Sequence, residues 1–145
     1  MREMINFKCY EVSWSTEENR LKRVRFSVFI EEQGVAQEEE WDEEDINSRH
    51  FLAVDDAGRP IGTARLTPDG QIGRMAVAKE LRGNGIGKTL LKLAIDGAKN
   101  AGFTAVFLHA QEHAIDFYKQ EQFVEEGKLF MEAGISHRLM TKRLL

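Results

Sequence analysis

A chain of 145 residues, 42% apolar and 30% charged, has the size and composition of one ordinary globular domain able to bury a real core. No apolar run approaches the length of a bilayer span, and no hydrophobic segment opens the chain as a secretory signal would, so we expect neither membrane insertion nor export. The net charge of −4 and a lone cysteine, Cys9, exclude an internal disulfide framework and fit one cytoplasmic domain over residues 1–145.

Taken in order, "MREMINFKCYEV" predicts a first strand, with Cys9 packed in it as a small buried hydrophobe. "STEE" then predicts a helix capped by Ser15, with Glu18 three residues on. Leu21, Val24, Val28 and Phe29 give that helix one apolar face, up to about Ile30. The acidic stretch that follows reads as loop or short helix. "RHFLAV", "IGTARLT" and "QIGRMAV", separated by the turns "DDAGRP" and "PDG", predict an antiparallel meander. From about Gly85 to Ala101 the period becomes helical, and Gly102 supplies the stop. "TAVFLHA" predicts a buried strand and "HAIDFYKQE" a short helix. "FVEEGKLF" and "SHRLMTKRLL" close the chain as strands. The order β-α-β-β-β-α-β-α-β-β is that of a mixed α/β domain whose first half is antiparallel.

Charge is distributed unevenly. Residues 31–45 carry nine of the 24 acidic residues and no Lys or Arg, which leaves 15 acidic against 20 basic residues elsewhere. Such a body can accept an anionic ligand while the acidic segment faces something cationic. The competing reading of "QEEEWDEED" is a solvated, partly disordered loop. Nucleic acid is not expected as a partner, because the basic residues are scattered and the acidic patch would repel a phosphate backbone. No metal site is expected either. His109 and His113 are four apart, but they straddle a predicted strand-to-helix junction.

The segment with most chemistry is "RGNGIGKT", residues 82–89. Its register excludes two nucleotide loops. A P-loop needs a glycine five residues before Gly87, where Arg82 stands. A dinucleotide fingerprint needs a third glycine where Lys88 stands, and it should open the first βαβ unit. The remaining pattern, [Q/R]-x-x-G-x-[G/A], lies between a strand ending "MAV" and a long amphipathic helix. Glycines there allow backbone N–H groups to converge on an anion above the positive end of a helix macrodipole.

With that loop, and with "VFLHAQEHAIDFYKQEQF" after it, the chain resembles the GNAT superfamily of acyl-CoA-dependent N-acetyltransferases over nearly its whole length. "RFSVFIEEQGV" and "MEAGISHRLM" resemble the V-F-x-x-E-Q and G-I-x-H segments of its ElaA-like bacterial branch. One departure is visible: the family often has glycine before the phenylalanine that follows Phe-Tyr, and here Gln122 precedes Phe123. The resemblance implies a central, mostly antiparallel twisted sheet of six or seven strands, flanked by about four helices and splayed between the fourth and fifth strands.

It also implies a site. Acetyl-CoA would lie along Met75, Ala76 and Val77, with its pyrophosphate over Arg82, Gly83, Asn84, Gly85, Ile86, Gly87 and Lys88, and with Gln111, His113, Phe117 and Tyr118 on the other wall. The Val77 N–H would face the thioester oxygen and Tyr118 would protonate the departing thiolate. Phe29, Glu32, His50 and His137 would face the acceptor, with Glu32 as the amine-side group. The implied reaction is direct transfer of an acetyl group to a primary amine of a small, cationic molecule, and a homodimer is the implied assembly. Two alternatives stay open: a non-catalytic acyl-CoA-binding module, and acetylation of protein N-termini or lysines.

Overall fold

The computed structural model of the chain describes residues 5–145; residues 1–4, where the predicted opening strand begins, lie outside them. The strand is β1 (Phe7–Val12). Helix α1 (Trp14–Arg25) starts from Ser13 rather than Ser15: Ser13 is extended and its carbonyl accepts the Glu17 N–H at 3.0 Å. The two serine hydroxyls bond each other at 2.8 Å. Nor does the helix stop near Ile30. It widens into a π-helix, Phe26–Glu32, in which the Gln33 N–H reaches back five residues to the Val28 carbonyl at 3.1 Å. Two short helices follow, α2 (Gln37–Glu40) and α3 (Glu44–Asn47).

Strands β2 (Arg49–Asp55), β3 (Pro60–Leu66) and β4 (Ile72–Val77) extend β1 into an antiparallel sheet of order β1-β2-β3-β4. After α4 (Ile86–Asn100), strand β5 (Ala105–Gln111) leads through α5 (Ile115–Gln120) to β6 (Val124–Glu132) and β7 (Ile135–Arg143). These form a second antiparallel group of order β5-β7-β6, which makes seven strands among the described residues.

Alternation along β2 explains the layers. Phe51 and Ala53 join the cluster on the α4 side, while Leu52 and Val54 meet Leu21 of α1. A sheet covered on both faces buries its strands along nearly their whole length, and β2 and β3 are buried in that way. Gly62 allows α4 to lie close to β3, since a Cβ there would stand 2.9 Å from Leu90 Cδ1 and 3.0 Å from Ile86 Cγ2.

Strands β4 and β5 run parallel but meet only near their starts, where the Phe107 N–H donates to the Gly70 carbonyl at 3.1 Å and Gln71 bridges Phe107. Beyond that point no ladder joins them, and the sheet opens as the expected V between its fourth and fifth strands. A bulge in β4 sets two residues, Arg74 and Met75, against Ala64, with Arg74 at φ 48°. It turns the Arg74 side chain away from the ladder. The Gln122 departure leaves the chain turn intact. Gln122 takes the left-handed conformation that glycine would favour, φ 72°, and its N–H still bonds the Lys119 carbonyl at 3.0 Å. That conformation costs a non-glycine residue about 1 kcal/mol.

Candidate active site

One cleft of about 990 Å³ follows the V, and the glycine loop, the inner faces of β4 and β5, the π-helix and the β6–β7 turn all line it. At the loop end, Gly83 and Gly85 take positive φ of 84° and 83°, so the chain folds back without side chains over the start of α4. No side chain caps that helix, and the space beside Gly85 is open for 4 Å. Free N–H groups, an open face and a helix N-terminus suit an anionic group lying across the loop. Gly87 stands where a Cβ would touch Phe117 at 3.6 Å and Val77 at 3.7 Å. Lys88 lies at the rim, 3.9 Å from Glu121. Asn84 does not line the cleft: its amide donates to the Leu81 carbonyl at 2.8 Å, so its side chain braces the turn.

Arg82 and Glu32 meet across the cleft. The guanidinium donates to both carboxylate oxygens at 2.7 Å, and its Nε donates to the Val77 carbonyl at 3.1 Å. This fork holds the Glu32 carboxyl below its ordinary range. A carboxylate held that way is a poor proton acceptor, which argues against Glu32 as the amine-side base. The next residue makes a second crossing: the Gln33 and Gln111 amides exchange hydrogen bonds of 3.2 and 2.9 Å. The π-helix is thus tied to both arms of the V, to the loop after β4 and to the end of β5.

Tyr118 lines the cleft from α5 and is otherwise buried, with Phe117 and Phe123 edge-on to its ring at 5.0 and 5.9 Å. Burial pushes its phenol well above the ordinary range, so the oxygen keeps its proton. Met75, Ala76, Val77, Ile86, Gln111, His113 and Phe117 line the same cleft.

At the other end the acidic segment is no solvated loop. Glu40 and Asp45 are buried, 3% and 2% exposed, and their partners are the chain's own arginines. Arg25 donates from Nε to Glu40 at 2.7 Å and from Nη1 to Asp45 at 2.9 Å, and it lies 5.5 Å from the Trp14 ring and 5.1 Å from that of Trp41. Arg65 holds Asp42 and Asp45 at 2.8 and 2.9 Å. Arg74, turned by the bulge, reaches Glu40 at 3.1 Å and Asp42 at 3.0 Å. Arg65 also lies 3.7 Å from Glu44, so three guanidiniums face four carboxylates, and Glu39, Glu44 and Arg74 reach the cleft wall.

His50, expected on the acceptor side, belongs to this buried structure instead. It is 1% exposed, its Nε2 donates to the Asp45 carbonyl at 2.8 Å, and its ring lies tilted against that of Trp14, centroids 4.9 Å apart, away from the cleft. Burial lowers its pKa and keeps it neutral. Phe29 and His137 do line the cleft. Sequence reasoning missed Glu132 and His109 beside His137. His109 Nδ1 and Glu132 Oε1 are 3.0 Å apart, and Glu132 Oε2 is 3.8 Å from His137 Nε2. The signal was alternation: His109 and Gln111 share the face of β5 that the apolar Val106, Leu108 and Ala110 leave free. Among the described residues no group of His, Cys, Asp or Glu could hold a metal ion, and no helix is long and apolar enough to cross a membrane.

Residues 15–144 match the family model described as an acetyltransferase (GNAT) domain. Over 123 residues the chain is 37% identical to the uncharacterised N-acetyltransferase YjcF of Bacillus subtilis, a match spanning 82% of this chain and 87% of that protein. An acyl-CoA N-acyltransferase from Pseudomonas aeruginosa shares the fold at a TM-score of 0.79 and 26% identity, over 95% of this chain and 99% of that one. Escherichia coli ElaA superposes at 0.84 with 24% identity over 95% of this chain and 100% of that one, a likeness of fold.

Proposed function

The chain belongs to the GNAT acetyltransferase family, and from that premise we propose that it moves an acetyl group from acetyl-CoA to a primary amine of a small, cationic molecule, with both substrates bound at once. The observation that carries this reading is the shared cleft: the glycine loop, Tyr118 and a carboxylate-rich far wall line one continuous space. The loop fits an anionic cosubstrate, because its backbone is free of side chains and α4 lacks a side-chain cap.

Acetyl-CoA supplies the acyl group activated as a thioester. The chain's own part is to bind, orient and move protons. N–H groups from Gly83 to Lys88 hold the pyrophosphate. The Val77 backbone N–H stabilises charge on the carbonyl oxygen during attack, and removal of one such donor typically costs 10²–10³ in rate. Tyr118, which lines the cleft, delivers its phenol proton to the departing sulfur. Glu39, Glu44 and Glu132 favour a cationic acceptor at the other end.

Thiol release from acetyl-CoA, screened over a panel of small amines and paired with isothermal titration of CoA, tests this reading. We expect CoA to bind, a subset of amines carrying a second positive charge to turn over, and Tyr118→Phe to lower turnover at least 10²-fold with CoA affinity kept. Absence of CoA binding at high micromolar concentration refutes the reading. Binding without turnover of any amine leaves an acyl-CoA-binding module in its place.

A further inference from the structure

We propose that His137 Nε2 takes the proton from the acceptor's ammonium group, and that Glu132 is the carboxylate that receives that ammonium and then faces the imidazolium. The proposal rests on the acetyl-transfer reading above. His137 Nδ1 lies 2.7 Å from the Ile135 carbonyl oxygen, which can only accept, so Nδ1 carries the hydrogen. In the neutral ring Nε2 then holds the lone pair. It points at Glu132 Oε2, 3.8 Å away, a gap in which an amine nitrogen can touch both groups.

The ring cannot turn freely. Phe130 stacks on it at 5.9 Å with 24° between planes, and His137 is only 6% exposed. The pairing of β6 and β7 sets this arrangement, since Phe130 and His137 are direct partners and Glu132 stands two residues along on the same face. The groups facing His137 are few. From β6 comes Glu132; from β5 come Gln111, its direct partner, and His109, bonded to the other oxygen of Glu132 at 3.0 Å. The π-helix packed near Ile135 contributes Phe29 and Gln33, both uncharged, and Glu32, which Arg82 already engages.

The proton balance is complete. One N–H bond of the ammonium breaks and an Nε2–H bond forms, and the electron pair left on nitrogen attacks the acyl carbon. The N–C bond forms and the C–S bond breaks, Tyr118 protonates the departing sulfur, and the second proton of the attacking nitrogen restores the phenol. His137 returns its proton to water beside the half-exposed Glu132 carboxylate, whose charge stabilises the imidazolium meanwhile.

The test has two readouts. Long-range ¹H–¹⁵N spectra of the protein without CoA should give neutral His137 as the Nδ1–H tautomer; an Nε2–H tautomer overturns the proposal. Kinetically, kcat/KM of the wild type should show a limb that rises with pH, as a base-assisted step requires. His137→Gln should abolish that limb and lower kcat/KM by at least about 10², with CoA affinity by titration calorimetry within twofold of wild type. Glu132→Gln, at a half-exposed position, leaves the core untouched. It should displace the limb and raise the KM for the amine more than it lowers kcat. Full retention of the limb in His137→Gln, or an unmoved limb in Glu132→Gln should the first variant not fold, overturns the assignment. Failure of wild-type protein to bind CoA refutes the acetyl-transfer reading and is separable, because the tautomer is read without CoA.

Discussion

Replacement of Arg25 by Met is the sharpest test of the reading that the acidic segment serves the fold. The guanidinium is 1% exposed and makes four hydrogen bonds, to both Glu40 Oε2 and the Glu40 carbonyl and to the two oxygens of Asp45, at 2.7 to 3.3 Å. Met fills a similar volume, so the loss is chiefly of charge and donors. Four carboxylates, of which Glu40 and Asp45 are buried, then face two guanidiniums. Removal of one partner from a buried ion pair costs about 3–5 kcal/mol, because the other charge stays desolvated. Arg74 and Arg65 still reach Glu40 and Asp45, so we do not expect more than that. For a chain of this size 1 kcal/mol corresponds to about 4 °C in Tm, and the fall should be about 12–20 °C. Thermal and urea unfolding followed by circular dichroism measure it. Arg25→Lys, which keeps the charge without the planar fork, should lose less. A fall below about 4 °C in Arg25→Met would refute the view that Arg25 neutralises the acidic segment and would return "QEEEWDEED" to the role of a solvated loop.

Two further outcomes follow from the same geometry. The Glu32 carboxyl is lowered from its ordinary value of 4.5 by the Arg82 fork, so that bond's contribution to stability is complete above about pH 4.5 and is lost as pH falls through the lowered value; Glu32→Gln should therefore make stability less steep between pH 5 and 3 in urea titrations. Burial pushes the Cys9 thiol up to about 11, so its alkylation at pH 7.5 should be about a hundredfold or more slower than that of free cysteine, and Cys9→Ala should keep turnover. Loss of turnover in Cys9→Ala would point to a covalent acyl relay.

Much of the fold was legible because each element carries its own period. Leu21, Val24 and Val28 mark a helix face, the "IGTARLT" and "QIGRMAV" runs mark strands, and Gly85 marks the start of α4. The glycine loop was legible for a related reason: its chemistry is local, backbone amides within six residues of one another. What the sequence hid lies in contacts between distant residues. Arg25, Arg65 and Arg74 look scattered along the chain, and the acidic run looks unpaired. Only packing of α1 on the sheet, together with the bulge that turns Arg74, brings these charges into one cluster. His50 illustrates the cost of reading polarity as function, since a histidine in a strand can equally satisfy a buried carbonyl.

By itself, then, the sequence determined the order of the elements, the position of the glycine loop and the placement of Tyr118 on the helix after β5. These follow from period, turn chemistry and spacing over a few residues. The tertiary structure alone decided that Glu32 is bound to Arg82, that Gln33 meets Gln111 across the cleft, and that Glu132 joins His109 and His137 at its far end. Those contacts depend on strand register and on the divergence of β4 from β5. A shift of one residue in either would point the same side chains to the opposite face, and nothing local in the chain encodes which register wins.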